Sequence, residues 1–304
     1  MSEPGFFIVG APKCGTTALS EYLREHPNVF MCSPKEPFYF ATDFPVYANA
    51  NANNHEEYLA LFSSANDIQY VIGEASAIYL YSNNAIQNIH DKYPDAKIIV
   101  MLRNPVDLAY SIHSQNCFGK GEDENDFNKA WDLIEKRKNG CEIPKRCRDR
   151  KMLYYDEIAR LGDQFERVIE IIPSENVLTI FSDDFFSDTK SVYKNVLNFL
   201  GLPYDQKEIF NKYNQNKTHK LGWLGVFTQR PPKWMVNTAL KIKSIFGIKH
   251  LGLLKSIRSI NVENTQRKPL SVELRQRIID SYRSDIYKLS KLTGRDLSHW
   301  LELK

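Results

Sequence analysis

The chain alternates between short apolar runs and longer stretches whose apolar residues recur with helical spacing. Short continuous apolar runs are typical of strands that are buried on both faces. We predict strands over residues 6–9, 28–32, 70–73, 97–102 and 177–181. Helices are predicted over residues 16–26, 55–63, 82–93, 105–118 and 189–200, with Ser82 as the N-cap of the third.

Strands that alternate with helices of ten or more residues predict βαβ units, and therefore an α/β fold in which helices flank a central parallel sheet. With right-handed crossovers, the carboxyl ends of the strands meet at one edge, where such sheets bind ligands. The loops after Val9, Ile72 and Leu102 leave that edge. The length of 304 residues fits one domain over residues 1–304.

The composition is that of a folded protein, because 42% hydrophobic and 12% aromatic residues exclude wholesale disorder. The net charge of +3 does not by itself point to a nucleic acid, and no nucleic-acid partner is predicted. No apolar run reaches the roughly 18 residues of a membrane span, and the first residues do not resemble a signal peptide. These features predict a cytoplasmic protein, although a truncated luminal domain would look the same.

The five cysteines are an odd number and do not form the disulfide framework of a small secreted protein. Cys141 and Cys147 could pair, but in a reducing compartment we expect both to be thiols. They have five residues between them and no histidine nearby, which makes a poor zinc site, and no metal is predicted.

Residues 209–262 contain ten Lys and Arg residues and no Asp or Glu. The same segment carries the large aromatic residues Trp223, Phe227, Trp234 and Phe246. Three interpretations stay open: a solvated basic face on packed helices, a helical lid over an anionic ligand, or peripheral contact with an anionic membrane surface.

Residues 10–17 join the first predicted strand to the first predicted helix with the sequence GAPKCGTT. Such a turn directs backbone N–H groups at one point, where the helix dipole adds partial positive charge. Lys13 adds a full charge, and Thr16 and Thr17 add hydroxyl donors. The loop therefore predicts an anion-binding site.

This loop differs from the nucleotide-kinase loop, in which a lysine directly follows the second glycine. Here Thr16 follows Gly15, and Lys13 lies two residues before that glycine. Arg103 follows the strand predicted to end at Leu102, in a place where an acidic residue would help to hold Mg²⁺. The site is therefore poorly equipped for metal-dependent phosphoryl transfer. A P-loop nucleotide kinase stays as one alternative function, and a non-enzymatic nucleotide- or membrane-binding protein is another.

Two segments resemble the sulfotransferases that use 3′-phosphoadenosine 5′-phosphosulfate (PAPS). Residues 7–19, FIVGAPKCGTTAL, resemble that family's 5′-phosphosulfate loop, and residues 98–111, IIVMLRNPVDLAYS, resemble its 3′-phosphate motif. Both occur in the family's order, about 90 residues apart. The resemblance is to the carbohydrate (heparan-type) and bacterial branch. It implies a P-loop-like sulfotransferase fold, PAPS as the sulfuryl donor, the bisphosphate PAP as the product, and no metal.

The resemblance implies ligands for both ends of the donor when it is carried over by position. The 5′-phosphosulfate would be bound by Lys13, Cys14, Gly15, Thr16 and Thr17. Arg103 and Ser111 would bind the 3′-phosphate, a role that suits a rigid, always charged guanidinium. Arg267 and Lys268 resemble the late PAPS loop without its usual glycine, and residues 216–218 compete for that role.

The resemblance also suggests a catalytic base. In the carbohydrate branch a glutamate just before an aromatic run resembles the general base, and Glu36 holds that place here, between two stiffening prolines. His113 is the rival, since histidine has the better intrinsic pKa, although residues 111 and 113 point to different sides of a helix. His55 is a weaker candidate. Lys13 is expected to neutralise charge on the leaving oxygen.

The acceptor site is the part that the sequence defines least. Glu74 and Ser76 either shape an acceptor pocket or are buried in the fold, and Ala75 stands where some carbohydrate members have a lysine. That difference argues against a heparan-like arrangement of two bases. A basic loop at 135–151 is either solvated or holds an anionic acceptor. Two roles stay open for a set of aromatic residues, which either line a pocket for a sugar or aromatic acceptor or belong to the core: Tyr39, Tyr79, Tyr81, Phe118, Tyr154 and Tyr155. We expect a small-metabolite or sugar acceptor, first of all a natural-product hydroxyl or amine, and make no prediction of oligomeric state.

Overall fold

The computed structural model describes residues 2–48, 51–211, 213, 217–219, 262–264 and 267–303. Its centre is a five-stranded sheet in the order β2-β3-β1-β4-β5, in which every neighbouring pair is parallel. The strands are β1 (Phe6–Gly10), β2 (Val29–Met31), β3 (Val71–Ala75), β4 (Lys97–Leu102) and β5 (Val177–Phe181). The predicted α/β class and central parallel sheet are therefore confirmed.

The central strands β1 and β4 are almost entirely apolar because both faces of the sheet are covered. All five residues of β1 are buried, and in β4 only Lys97 is partly exposed. β1 pairs with β3 on one side and with β4 on the other, so that Phe6 lies opposite both Gly73 and Lys97. A Cβ atom at Gly73 would lie 2.2 Å from the Phe6 ring, so this position of β3 accepts only glycine.

Helices connect the strands and cover the sheet. The described α-helices are α1 (Thr16–Arg24), α2 (Pro45–Ala48), α3 (His55–Ala60), α4 (Ala85–Lys92), α5 (Pro105–Phe118), α6 (Phe127–Asp132), α7 (Ile134–Lys138), α8 (Tyr155–Ile158), α9 (Leu161–Ile171), α10 (Ser182–Ser187), α11 (Thr189–Leu200) and α12 (Val272–Thr293). Short 3₁₀ turns occupy Arg150–Leu153, Ser174–Asn176 and Ser298–Leu301. Among these described helices, none combines the length and the apolar character that crossing a bilayer requires.

The predicted elements agree closely with the observed ones. Strand bounds differ by at most two residues, and the bounds of α5 and α11 are those predicted. The prediction is wrong at the start of α4, which begins at Ala85 with Asn84 as its N-cap residue. The Ser82 hydroxyl does accept the Ala85 N–H at 3.1 Å, but it does so from a turn that precedes the helix. The 22-residue helix α12 was not predicted.

The chain divides into two compact units. The larger unit consists of Met1–Ala109, Asp156–Tyr213 and Ser271–Lys304, and it contains the whole five-stranded sheet. The smaller unit consists of Tyr110–Tyr155 and Asn214–Leu270, and its described part includes an antiparallel pair, β6 (Lys217–His219) and β7 (Val262–Asn264). The single-domain organisation stays a prediction. Most of the acid-free segment 209–262 lies outside the described residues, and so do its predicted roles.

In the larger unit, α12 packs against α9 and supplies a buried cap to it. The Asp285 carboxylate accepts the backbone N–H groups of Gly162 and Asp163, each at 2.9 Å. These two groups belong to the first turn of α9, where backbone donors have no partner within the helix. A Cβ atom at Gly162 would lie 2.4 Å from the Asp285 carbonyl oxygen, so a glycine is needed for this close approach.

Candidate active site

The predicted anion-binding loop lies between β1 and α1, at the carboxyl edge of the sheet. The Ala11 N–H donates to the Met101 carbonyl of the adjacent β4 at 2.7 Å, which fixes the start of the loop. Lys13 has a φ of 64° and Gly15 a φ of 101°, both in the left-handed region. A Cβ atom at Gly15 would lie 3.0 Å from the Phe185 ring, so backbone conformation and packing both require glycine at this position.

The N-terminus of α1 leaves its first-turn donors facing the loop. The first backbone hydrogen bond of the helix runs from the Leu19 N–H to the Gly15 carbonyl at 3.0 Å. Among the described side chains none caps this end, and the first turn contains no acidic residue. The N–H groups of Thr16 and Thr17 and the positive end of the helix dipole can therefore stabilise a bound anion.

Arg103 lies next to this loop, as the sequence predicts. It directly follows β4, and its Nη1 atom donates to the Lys13 carbonyl oxygen at 3.2 Å. The positive charges of Arg103 and Lys13 both act on the thiol of Cys14. The two predicted basic residues are thus neighbours at the carboxyl edge of β1 and β4. The chain leaves β1 toward β2 on one side of the sheet and leaves β4 toward β5 on the other side, and parallel sheets bind ligands at such a point.

Cys14 holds the loop by its backbone and does not act as a thiolate. Burial raises the pKa of its thiol to about 12, even though the charges of Arg103 and Lys13 favour ionisation. The Cys14 carbonyl accepts the hydroxyl of Ser182 at 3.0 Å. Ser182 begins α10 directly after β5, and sequence reasoning missed it. Its position directly after a predicted strand could have indicated that it lies at the carboxyl edge of the sheet, near the loop.

Glu36 lies in the loop between β2 and α2, where the backbone is unusual. Glu36 and Phe38 have φ values of 60° and 58°, which non-glycine residues rarely adopt. The Glu36 side chain is 36% exposed, and its Oε1 atom lies 3.0 Å from the Lys35 Nζ atom. The candidate base is therefore accessible, paired with a cation, and held in a strained loop.

The loop that carries Glu36 is attached to the end of β3. The Phe38 N–H donates to the Ser76 hydroxyl at 3.1 Å, and the Phe40 N–H donates to the Tyr79 hydroxyl at 3.3 Å. Ser76 and Glu74 are both fully buried, so the structure places them in the interior. The Tyr58 hydroxyl donates to the Glu74 Oε2 atom at 2.5 Å.

His113 is in a different environment, inside the smaller unit. It is 2% exposed, and its ring packs against Phe127 and Tyr155. Its Nε2 atom lies 2.8 Å from the Glu124 carbonyl oxygen, so this nitrogen carries the proton and donates it. Burial lowers the pKa of the imidazole, which is therefore neutral at neutral pH. Ser111 lies two residues earlier in α5 and is also buried.

Arg267 and Lys268 lie together in the smaller unit. The Arg267 guanidinium lies over the Tyr110 ring, 5.6 Å from its centroid, and the Tyr110 hydroxyl donates to the Lys268 carbonyl at 3.0 Å. Contact of these residues with a cofactor stays a prediction. Of the competing segment, Lys217 and Thr218 lie in β6, and residue 216 lies outside the described residues.

The larger unit contains a cavity of about 620 Å³. It is lined by Tyr39, Phe40, Thr42, Pro45, Ala48, Asn53, His55, Asn88, Asp91 and Lys92. Tyr39 stacks on Tyr58 with 4.6 Å between ring centroids. Burial and the Lys92 charge lower the pKa of His55. Of the aromatic residues proposed for an acceptor pocket, Tyr39 lines this cavity, whereas Tyr79 and Tyr155 are fully buried.

Predictions from the sequence also concerned the cysteines and metal binding. Cys141 and Cys147 are thiols, as predicted. Within the part of the chain that the structure describes, His, Cys, Asp and Glu side chains form no group of three or more that could hold a metal ion.

Comparison with known proteins identifies the family. Residues 3–225 match the family model described as the sulfotransferase domain. A solved sulfotransferase from Alicyclobacillus acidocaldarius aligns with 99% of this chain and 100% of its own, with a TM-score of 0.72 and 24% sequence identity, and therefore shares the fold. The chain belongs to the sulfotransferase family, which confirms the resemblance of the two motifs.

The curated relatives of the chain include proteins named as carbohydrate and heparan sulfate sulfotransferases. Mouse carbohydrate sulfotransferase 15 is 33% identical over 253 residues, covering 67% of this chain and 45% of the relative. The membrane-associated sulfotransferase kil1 of Dictyostelium discoideum is 33% identical over 108 residues, covering 36% of this chain and 22% of the relative. The Caenorhabditis elegans bifunctional heparan sulfate N-deacetylase/N-sulfotransferase 1 is 24% identical, covering 84% of this chain and 30% of the relative. The chain spans less than half the length of these relatives.

Proposed function

We propose that this protein transfers the sulfuryl group of PAPS to a hydroxyl or amine of a small metabolite or sugar and releases PAP. The observation that carries the proposal is the hydrogen bond from the Arg103 guanidinium to the Lys13 carbonyl, beside the uncapped N-terminus of α1. It brings two cationic residues from two separate motifs together at one edge of the sheet. A nucleotide with anionic groups at both ends is the ligand that such an arrangement suits.

The loop would bind one end of the donor, and Arg103 would bind the other end. The 5′-phosphosulfate would accept hydrogen bonds from the N–H groups and hydroxyls of Thr16 and Thr17, with Lys13 neutralising charge on the bridging oxygen. Arg103 would pair with the 3′-phosphate, and the family resemblance adds Ser111 as a second ligand. Cys14 and Gly15 contribute backbone shape, since the Cys14 thiol stays protonated.

The transfer is an in-line displacement at sulfur. A bond forms between sulfur and the acceptor oxygen or nitrogen, and the bond between sulfur and the bridging oxygen of the donor breaks. The proton of the attacking hydroxyl or amine passes to the Glu36 carboxylate, whose side chain is accessible, whereas the His113 ring and its proton-accepting Nδ1 atom are buried. These contacts support Glu36 as the general base.

Calorimetry with adenosine 3′,5′-bisphosphate tests the donor site. We expect binding in the presence of EDTA, and about 10- to 100-fold weaker binding by Arg103→Ala, because a charge-assisted hydrogen bond to phosphate is lost. Arg283→Ala is the matched control, since this arginine pairs with Asp280 on the exposed side of α12. Absence of binding by the intact protein would reject the proposal, and Mg²⁺-dependent ATP turnover in its place would favour a nucleotide kinase.

The acceptor class is tested separately. Incubating the protein and ³⁵S-labelled PAPS with cell extract, followed by separation of labelled products, shows whether the acceptor is a small molecule or a glycan. We expect label in small molecules or lipid-linked sugars. Label confined to secreted glycans would contradict both this acceptor class and the predicted cytoplasmic location.

A further inference from the structure

The backbone that carries Glu36 depends on two hydroxyl groups for its shape. Glu36 and Phe38 are both left-handed, a conformation that costs free energy and persists only where surrounding contacts enforce it. The enforcing contacts are the hydrogen bonds from the Phe38 N–H to Ser76 and from the Phe40 N–H to Tyr79. In both bonds the hydroxyl is the acceptor, so its own proton is available for a different partner.

That partner is Glu74, in β3. Its carboxylate is fully buried, and Oε2 accepts the Tyr58 hydroxyl. The nearby hydroxyls of Ser76 and Tyr79 favour its ionised form, and Oε1 has no other hydrogen-bond partner within the described residues. An ionised Glu74 offers only acceptor atoms, so it favours the orientation in which both hydroxyl protons point toward it and the lone pairs are left for the Phe38 and Phe40 N–H groups. A protonated Glu74 has a donor of its own, and this polarity is no longer enforced.

We infer that Glu74 is a positioning residue, which holds the Glu36 loop in its productive conformation through Ser76 and Tyr79. This inference rests on the proposed function, in which Glu36 of this loop is the general base. Glu74 does not touch the transferred group; it sets the direction of the hydrogen bonds that fix where Glu36 lies.

The surroundings of Glu74 make this role depend on pH. Burial raises the pKa of Glu74 to about 7, the hydroxyls of Tyr58, Ser76 and Tyr79 oppose the rise, and the Glu36 charge adds to it. Cys32 after β2 and Tyr93 after α4 also interact electrostatically with Glu74, and burial raises the pKa of both, so they are neutral near pH 7. We therefore expect the loop to be ordered above about pH 7 and to loosen as the pH falls through that value.

Hydrogen exchange at the Phe38 and Phe40 amides tests the inference without requiring turnover. In the wild-type protein we expect both amides to be protected, with protection factors that fall as the pH drops through about 7. In Glu74→Gln we expect protection about 10-fold lower at pH 8 and no such pH dependence. Asp285→Asn is the matched control, because it also neutralises a buried acid of the larger unit and should leave the two amides unchanged.

Kinetics and two further variants complete the test. Glu74→Gln should lower kcat about 10-fold at pH 8 and leave bisphosphate affinity unchanged, since a displaced base costs rate but not donor binding. Tyr58→Phe removes a hydrogen bond that favours the carboxylate, so the loss of protection should move to higher pH. If Glu74→Gln does not fold, Ser76→Ala should still remove protection at Phe38 alone. Unchanged protection in either variant overturns the inference, whereas failure of the proposed function shows as absent bisphosphate binding.

Discussion

Glu36 and His113 differ in how exposed their proton-accepting atoms are. The Glu36 carboxylate is partly exposed and lies 3.0 Å from the Lys35 ammonium. The His113 imidazole is enclosed by aromatic rings, its Nε2–H donates to the Glu124 carbonyl, and its proton-accepting Nδ1 atom is buried. A general base must reach an incoming acceptor, and exposure therefore favours the glutamate although histidine has the more suitable intrinsic pKa.

Replacing Glu36 by glutamine tests that assignment. Glu36→Gln keeps the size of the side chain and one oxygen that can accept a hydrogen bond, but the amide cannot take up the proton of the attacking hydroxyl or amine. We expect kcat to fall about 100-fold while the Kd for adenosine 3′,5′-bisphosphate stays unchanged. Steady-state kinetics and calorimetry on the same preparation measure the two quantities. Turnover close to wild type would instead assign the role to His113.

Single residues were predictable where a local motif defines them. Lys13, Gly15 and Arg103 each stand in a strand–loop–helix segment whose chemistry is legible from neighbouring residues alone. Ser182 and Tyr58 were missed because their partners, Cys14 and Glu74, lie 168 and 16 positions away in the chain. Such contacts depend on how strands and helices are arranged in space, and the spacing of residues along the chain does not specify that arrangement.

At the scale of secondary structure, the elements that bury continuous apolar runs were the predictable ones. β4 and α5 were predicted with their observed bounds, because an apolar run and a proline at the first helical position define them. The start of α4 was misplaced because the Ser82 hydroxyl also contacts Asp43 from the loop before α2. A capping residue that is engaged by a distant loop ends up in a turn, and local sequence does not reveal it.

The buried cap that α12 provides to α9 yields a prediction about stability. Asp285→Ala leaves the Gly162 and Asp163 N–H groups without their acceptor in the interior, and we expect a loss of about 1–3 kcal/mol in the free energy of unfolding. Asp285→Asn keeps one acceptor oxygen and should lose less. Urea denaturation followed by circular dichroism measures both variants. Equal stability of Asp285→Ala and the wild type would show that water replaces the cap.

At the scale of the whole molecule, two short motifs were sufficient to define the family, but the division into units was not predictable. The boundary at Ala109 and Tyr110 falls inside α5, a helix that the sequence shows as one uninterrupted pattern. The two units also differ in what stabilises them. The larger unit has the apolar sheet, whereas the described part of the smaller unit contains a fully buried ion pair between Glu122 and Arg137.

That ion pair is satisfied from several sides. Both guanidinium Nη atoms of Arg137 donate to the Glu122 carboxylate, at 2.7 and 2.8 Å. The Tyr155 hydroxyl and the backbone N–H groups of Asp123 and Glu124 also donate to it. Burial opposes ionisation of Glu122, but the hydrogen bonds from Arg137 and Glu124 outweigh it and hold the pKa of Glu122 below its ordinary value.

The pair therefore predicts how the smaller unit responds to mutation and to acid. Removing one partner leaves an uncompensated buried charge, so Arg137→Met should cost about 3–5 kcal/mol in the free energy of unfolding. The double variant Arg137→Met with Glu122→Leu should recover most of that loss, because no buried charge remains. Since the folded pKa of Glu122 is lowered, its stabilisation is complete above the ordinary glutamate pKa and is lost as the pH falls through the folded value. Urea denaturation between pH 7 and 3 should show a shallower decline in the double variant than in the wild type, and parallel curves would contradict this account of the pair.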